Sequence, residues 1–380
     1  MTPATRAWLT LTLTPGLGPT LIARLIEHAG GVEQAVGLTA AQFAEIQGIS
    51  EKGAGKHKRA IDDTINGGTL AREIELIAKH DATLLSLDDA AYPALLKTIP
   101  SAPPLLWVKG KLDPCDALSL AIVGSRRCSH YGREQADHIA NALARSGVTI
   151  VSGGAYGIDI AAHRGALRAA QSGTGRTIAV LGSGLAKPYP SEHVDLFKAI
   201  VDGGGQYGAV ISEFPMTAGP RPENFLRRNR IVSGLCVGTL VVEAGKRSGA
   251  LSTARRCVDE QGRELMALPG RVDAPQSEGC HQIIRDGWGT LVTGVSDILD
   301  LIGEQAPMLD AVSEINPSSR TTQPSSKGHV IVEVLDTPRS LDEIVNWTGL
   351  DASAVRTELT MLEIRGAVAR QGGLFVKRRG

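Results

Sequence analysis

Between residues 82 and 293 the chain alternates nine short apolar runs with stretches of helical periodicity, and that alternation limits the possible folds more than any other feature. The runs are ATLLSL, PLLWVKG, LSLAIVGS, VTIVSGG, TIAVLGSG, AVISEF, GTLVVEA, ELMALPG and GTLVT. They are continuous rather than alternating, the pattern of strands buried on both faces, as in a parallel sheet. Between two of them YGREQADHIANALARSG places Ala136, Ile139, Ala140 and Leu143 on one helical face, with Gly147 where a helix C-cap belongs. A low aromatic share of 4% and 44 glycines suit such a turn-rich α/β chain better than an aromatic-rich β-sandwich.

The expectation for residues 80–302 is therefore a Rossmann-like, doubly wound, mostly parallel sheet. With 380 residues the chain has room for more than this one domain. Residues 1–75 read as two helical hairpins, TPGLGPTLIARLIEHAGG with Leu21, Ile22, Leu25 and Ile26 at helical spacing, then AEIQGISEKGAGKHKRAI. Such hairpins resemble helix-hairpin-helix or SAM-like folds. Two readings stand for them: a small packing module, or turns whose N–H groups hold a DNA phosphate, helped by Lys52, Lys56, Lys58 and Arg59. Residues 303–326 contain NPSSRTTQPSS, polar and aperiodic, the composition of a flexible linker. Residues 327–380 follow the winged-helix plan of three helices and a hairpin turning at Gly372–Gly373. The third helix buries Val355, Leu359 and Leu362, and its outer face would carry Arg356, Glu358, Thr360, Glu363 and Arg365. A face of mixed charge reads phosphates or bases poorly, which favours a protein partner for this segment.

Ligands of open α/β sheets sit beyond the carboxyl ends of the strands, so the loops there carry the chemistry. In AIVGSRRCSHYG a buried run ends in a turn, G-S-R, and a helix follows. Gly124 allows a tight turn, Ser125 and the next N–H groups face an anion, and Arg126 adds a bidentate grip on phosphate. In VSGGAYGIDIAAHRGAL the pair Gly153–Gly154 permits backbone approach to a ligand. Asp159 and His163, four apart on the next helix, are read as structural, Asp159 favouring the helix N-terminus. The segment around NFLRRNR sets Arg221, Arg227, Arg228, Asn229 and Arg230 about Phe225, the mixture by which single strands are held: rings stack on bases and guanidiniums bind backbone. In EAGKRSGALSTARRC a loop with Lys246, Arg247, Ser248 and Gly249 precedes a helix. Lys+Arg and Asp+Glu balance at 40 each over the chain, yet from Thr217 to Cys257 there are eight Lys or Arg against two Asp or Glu. Neutral net charge thus conceals a concentrated basic region.

Several chemistries are absent from the pattern. There is no G-x-x-x-x-G-K-[ST] loop and no G-x-G-x-x-G with its ribose-binding acid. No cofactor and no metal are expected. The five cysteines are scattered without C-x-x-C spacing, which argues against zinc and disulfides and for a reducing cytoplasm. No apolar run reaches the length of a membrane span, and the N-terminus lacks the pattern of a secretory signal. Binding groups abound and activated nucleophiles do not, so a binding protein rather than an enzyme is expected.

Taken in order, VGSRRCSHYG, IVSGGAYGIDIAAHRGAL, TIAVLGSGLAKPYPSEHVDLF, ISEF, NFLRRNRIVSGL, VVEAGKRSGALSTAR and LPGRVDAPQSEGCHQIIRDG resemble the DprA (Smf) family of DNA-processing proteins. The resemblance covers about residues 122–287, and the flanks are similar to those of some members. It implies a cytoplasmic single-stranded-DNA-binding protein of natural transformation. Such a protein protects incoming strands and loads the RecA recombinase onto DNA still covered by single-strand-binding protein. It acts as a homodimer through the Rossmann-like domain and has no established enzymatic activity. The DNA pocket it implies comprises Gly124–Arg126, Gly153–Gly154 and Arg228–Arg230, with Phe225 against a base. The chain departs from the family pattern at Leu226, where many members have proline, and at Arg221, where some have lysine nearby. The alternative is a nucleoside-monophosphate phosphoribohydrolase of the related P-G-G-x-G-T-x-x-E type. Here GLCVGTLVVEA keeps Gly238, Thr239 and Glu243, lacks P-G-G, and sets the glutamate one residue further on. On a strand that step turns a side chain to the opposite face.

Overall fold

The computed structural model describes residues 1–303, 326–364, 367–371 and 373–377. All nine apolar runs form strands: β1 (Thr83–Ser86), β2 (Leu105–Gly110), β3 (Ser119–Val123), β4 (Thr149–Ser152), β5 (Thr177–Leu181), β6 (Gly208–Ser212), β7 (Gly238–Val241), β8 (Glu264–Ala267) and β9 (Thr290–Leu291). They make one sheet in the order β1-β2-β6-β5-β4-β3-β7-β8-β9. β2 runs antiparallel to β1 and β6, and the other neighbours are parallel. Every residue of β3, β4, β5, β6 and β7 is buried, which is why their sequences are unbroken apolar runs.

The order shows how the sheet is wound. From β3 the chain moves outward through β4 and β5 to β6, then returns across the sheet to place β7 on the free side of β3. The winding direction therefore reverses at the β3/β7 pair. Chains leaving these two strands diverge and open a crevice at their carboxyl ends.

Six helices precede the sheet: α1 (Pro3–Leu13), α2 (Pro19–Ala29), α3 (Val32–Gly37), α4 (Ala40–Ala44), α5 (Glu51–Asn66) and α6 (Thr69–Lys79). Ser50 caps α5 by accepting the Gly53 N–H at 3.2 Å. Ile22, Leu25, Phe43 and Ile61 join one apolar cluster with Trp107, Leu181, Phe197 and Val210 of the sheet layer. Two polar contacts pin the junction. The Trp8 indole donates to Asp88 at 3.0 Å, and buried Glu73 accepts the Met216 N–H at 2.6 Å. Burial raises the Glu73 carboxyl above its usual range, opposed by that Met216 hydrogen bond.

Within the sheet region lie α7 (Ala94–Lys97), α8 (His130–Arg145), α9 (Ile158–Gln171), α10 (Val194–Gly205), α11 (Pro222–Gly234), α12 (Ala250–Arg255), α13 (Glu278–Arg285) and α14 (Val295–Gly303). The face of α8 expected from its periodicity is buried, and Gly147 sits just past its end at φ +89°. α8 and α9 pack unusually close: a Cβ on Gly165 of α9 would lie 2.1 Å from the Asp137 carbonyl of α8. α8, α9 and α14 share a core with β3, β4 and β7 on one face, while α11, α12 and α13 cover the other.

The expected linker, with the exception of its end residues Gly303 and Ser326, lies outside the described residues. Beyond it come α15 (Ser326–Val334), α16 (Leu341–Thr348), α17 (Ala352–Ile364) and the antiparallel pair β10 (Val368–Gln371) and β11 (Leu374–Lys377). Val355, Leu359 and Leu362 are buried as expected. Thr360 is not on the outer face: it is buried, its methyl against Gly303 of α14. Arg365 and Gly372 lie outside the described residues. Among the described residues no helix is long and apolar enough to cross a membrane.

Candidate nucleic-acid interface

A cleft of about 810 Å³ opens at the carboxyl ends of β3 and β7, where the winding direction reverses. Ten of the residues singled out from sequence line it: Gly124, Ser125, Arg126, Gly153, Phe225, Arg228, Asn229, Arg247, Ser248 and Gly249. Sequence reasoning missed Arg127 and Tyr189, which line it too. Arg127 was legible as the neighbour of Arg126. Tyr189 reaches the cleft only because its loop folds back, placing its ring 5.6 Å from that of Phe225.

The loops are locked before any ligand arrives. Gly124 sits where a Cβ would lie 2.5 Å from Ile158 and 2.8 Å from the Glu243 carbonyl. The Ser125 N–H donates to that carbonyl at 2.6 Å, joining the β3 and β7 loops, and the Ile158 N–H donates to the Ser125 carbonyl at 3.3 Å, joining the β4 loop. Gly157, at φ +78°, allows the close passage. The turn thus holds Arg126 out, exposed, with its guanidinium 5.3 Å from the Phe225 ring centre. Phe225 in turn rests on Gly182, where a Cβ would come within 2.7 Å of the ring.

Gly153 has a different neighbour from the one expected. A Cβ there would lie 1.9 Å from Nη1 of Arg228, so a buried side chain of the protein itself, and not only a ligand, approaches this backbone. Arg228 donates to the Val180 carbonyl at 2.7 Å, and its Nε has no hydrogen-bond partner. Burial pushes this guanidinium down to about 10, a shift that nearby Asp159 opposes. Asp159 lines the cleft and accepts the Ala155 N–H at 3.2 Å, tying its own turn. Burial raises its carboxyl, and Arg228 counteracts. His163 turns away to the Thr177 hydroxyl at 2.7 Å. That hydroxyl donates to the Ile150 carbonyl, so His163 Nδ1 must carry the proton and Nε2 is left without a partner. Asp159 and His163 thus do not pair with each other but bind different groups.

The other sequence candidates lie elsewhere. Arg230 is buried and forms a two-pronged pair with Glu213 at 2.7 and 2.8 Å. Arg227 also meets Glu213, at 3.0 Å, and covers the Phe214 ring. Gly154 is buried against Phe197, and exposed Arg221 and Lys246 do not line the cleft. Glu243, the glutamate of the hydrolase alternative, is buried beneath the start of α8. Its carboxylate accepts both the N–H and the hydroxyl of Ser129, at 2.8 and 2.5 Å, and presses on Gly132, so it does not line the cleft. Among the described residues no cluster of His, Cys, Asp and Glu is placed to hold a metal.

A family model described as DNA recombination-mediator protein A matches residues 83–303, and one for the DprA winged helix domain matches residues 317–373. The chain belongs to the DprA family. Protein Smf of Synechocystis sp. is 32% identical over 98% of both chains. The crystal structure of DprA from Streptococcus pneumoniae matches with a TM-score of 0.65 at 34% identity, over 79% of this chain and 98% of that one. A structure of the Helicobacter pylori DprA, concerned with the single-stranded-DNA binding mode of that protein, matches with a TM-score of 0.51 at 27% identity, over 59% of this chain and 96% of that one. The DprA model ends at residue 303, the last residue of α14, so it spans the whole nine-stranded sheet and the cleft.

Proposed function

We propose that this chain binds single-stranded DNA across the carboxyl ends of β3, β4 and β7, without base selectivity and without catalysing a reaction. The observation that carries this reading is the pairing of Arg126 with Phe225 in a cleft that Arg127 and Arg247 also line. A cation beside an open ring suits a phosphate next to an unstacked base. A dinucleotide offers one pyrophosphate, which backbone N–H groups satisfy, whereas a strand offers a row of phosphates and rewards a cation on each loop. The single-strand binding described for the Helicobacter pylori relative supports the same ligand class.

In this reading the protein works in the cytoplasm during natural transformation, protects incoming strands, and transfers them to RecA from under single-strand-binding protein, as a homodimer. Residues 80–302 bind DNA, 1–75 form a helical module, 303–326 link, and the winged helix of 327–380 meets a protein. The hydrolase alternative is disfavoured because Ser129 already occupies the Glu243 carboxylate.

The test is a titration of labelled single-stranded oligonucleotide with wild type and Arg126→Glu at two salt concentrations, with duplex of equal length as competitor. The expected result is binding that weakens with salt, resists the duplex and collapses in the variant. Equal binding by both proteins would move the DNA site off the cleft, and adenine release from AMP, lost in Glu243→Gln, would establish the hydrolase.

A further inference from the structure

The β3–α8 turn is a wall with a cavity on each side. Behind it, between the first turns of α8 and α9, lies a second pocket of about 500 Å³, and Arg126 and Arg127 line both. Arg133 of α8 and Arg164 of α9 line it as well, both side chains exposed on their helices. The far wall is Tyr156 and His193, their rings edge-on at 4.9 Å.

The ordinary account of such a cluster is a solvated face balanced by neighbouring acids. Two acids line the pocket; Asp137 is engaged by a cation outside it, and Glu134 leaves the four arginines in excess. Asp137 is held bidentately by Arg168 at 2.6 Å, and Glu134 meets His130 at 3.1 Å. Among the described residues none of the four lining arginines is in an ion pair. Four cationic side chains around one concavity favour an anion within it. The close packing of α8 on α9 through Gly165 fixes the spacing of the two helices from which Arg133 and Arg164 project.

We infer that this second pocket is a phosphate-binding extension of the same track: a strand leaving the cleft crosses the Arg126–Arg127 turn and sets its next phosphates between Arg133 and Arg164, with Tyr156 available to a base. The inference rests on single-strand binding in the first cleft and adds a direction and a minimum length to it. Arg126 and Arg127 are then the shared step between two subsites.

The experiment is a length series of oligothymidylate, titrated against wild type, Arg133→Ala/Arg164→Ala and Arg126→Glu at several salt concentrations. For wild type the affinity should step up, about ten-fold, once the strand is long enough to reach the second pocket. The double variant should lose that step, lower the salt dependence of long strands by about 0.7 in log–log slope for each phosphate it no longer grips, and leave the shortest strands unaffected. Identical length and salt profiles for wild type and double variant would overturn the inference while leaving the first cleft intact. Failure of wild type to bind any strand would overturn both, and is distinguished by its independence of length. Thymidine monophosphate serves as a final arm: tight binding that depends on Arg133 and Arg164, with no length step, would make the pocket a free-nucleotide site and overturn the strand extension.

Discussion

Two arginine-rich segments flank the same cleft and look alike in sequence, yet the fold puts them to opposite uses. In the β3–α8 turn, Arg126 and Arg127 are exposed and enter no ion pair among the described residues. In α11, Arg228 is buried against Gly153 and Val180, and Arg230 is buried on Glu213. The first segment presents charge to the open cleft. The second uses charge as a structural material, holding the loops on which the first depends. A basic motif therefore announces positive charge but not its direction. The helix period decides which side chain of RRNR points inward, and a partner 17 residues upstream, Glu213, decides which is neutralised.

Substitutions separate these uses. The largest effect expected is from Arg230→Ala, which strands the buried Glu213 carboxylate. Unfolding in urea should reveal a loss of about 3 kcal/mol, the lower end for a broken buried pair because Arg227 remains on Glu213. Nearly as large is Gly153→Ala, about 3 kcal/mol from overpacking against the guanidinium. Combining it with Arg228→Ala should cost less than the sum of the two, and a double-mutant cycle measures the coupling. Strict additivity would mean that Arg228 does not occupy this space. Arg126→Ala reverses the pattern. Its melting should stay within about 0.5 kcal/mol of wild type while single-strand affinity falls about ten-fold or more. A change in stability comparable to that of Arg230→Ala would erase the distinction between the two segments.

Acid offers a further probe of the internal charge. Burial first, and then the Arg228 cation, hold His163 down to about 3 in the folded protein, from an ordinary value of 6.5. The unfolded chain takes up that proton first, so stability from this group is complete above about pH 6.5 and is lost as pH falls toward 3. The slope approaches 1.4 kcal/mol per pH unit at its steepest, on the order of a full proton difference. His163→Gln should flatten urea-unfolding stability across that window relative to wild type. The smallest effect is expected from Arg247→Ala, a peripheral cation: unchanged stability and a salt dependence of strand binding shallower by about 0.7, or one phosphate.

Much of this architecture was legible in the sequence. Apolar runs revealed all nine strands; for β3 to β7 this follows from burial on both faces, whereas the edge strand β1 is only partly buried and β9 is exposed. The strand order was not legible, since pairing is set by contacts remote in sequence. Glycine and charge mark strand ends, and ten of the fifteen candidates come together in one cleft there. Of the five others, Arg227 and Arg230 are drawn away because Glu213 competes for their guanidiniums. Gly153 does not disclose Arg228 as its neighbour, because a glycine shows only that space is needed, not what fills it. The burial of Thr360 is not legible because nothing in a helical period reveals a second surface, here Gly303 of α14, on the far side.

The junction between the N-terminal helices and the sheet has a consequence for the order in which the molecule is made. Trp8 waits 80 residues for Asp88, and Glu73 waits 143 residues for the Met216 amide. The β5 and β6 side chains that complete the core of the helices are likewise synthesised long after the helices have left the ribosome. The helical segment thus emerges well before the strands that complete its core. Its apolar face stays open through most of translation, which makes it the part of the chain most exposed to misassociation during synthesis and the part a chaperone would meet first.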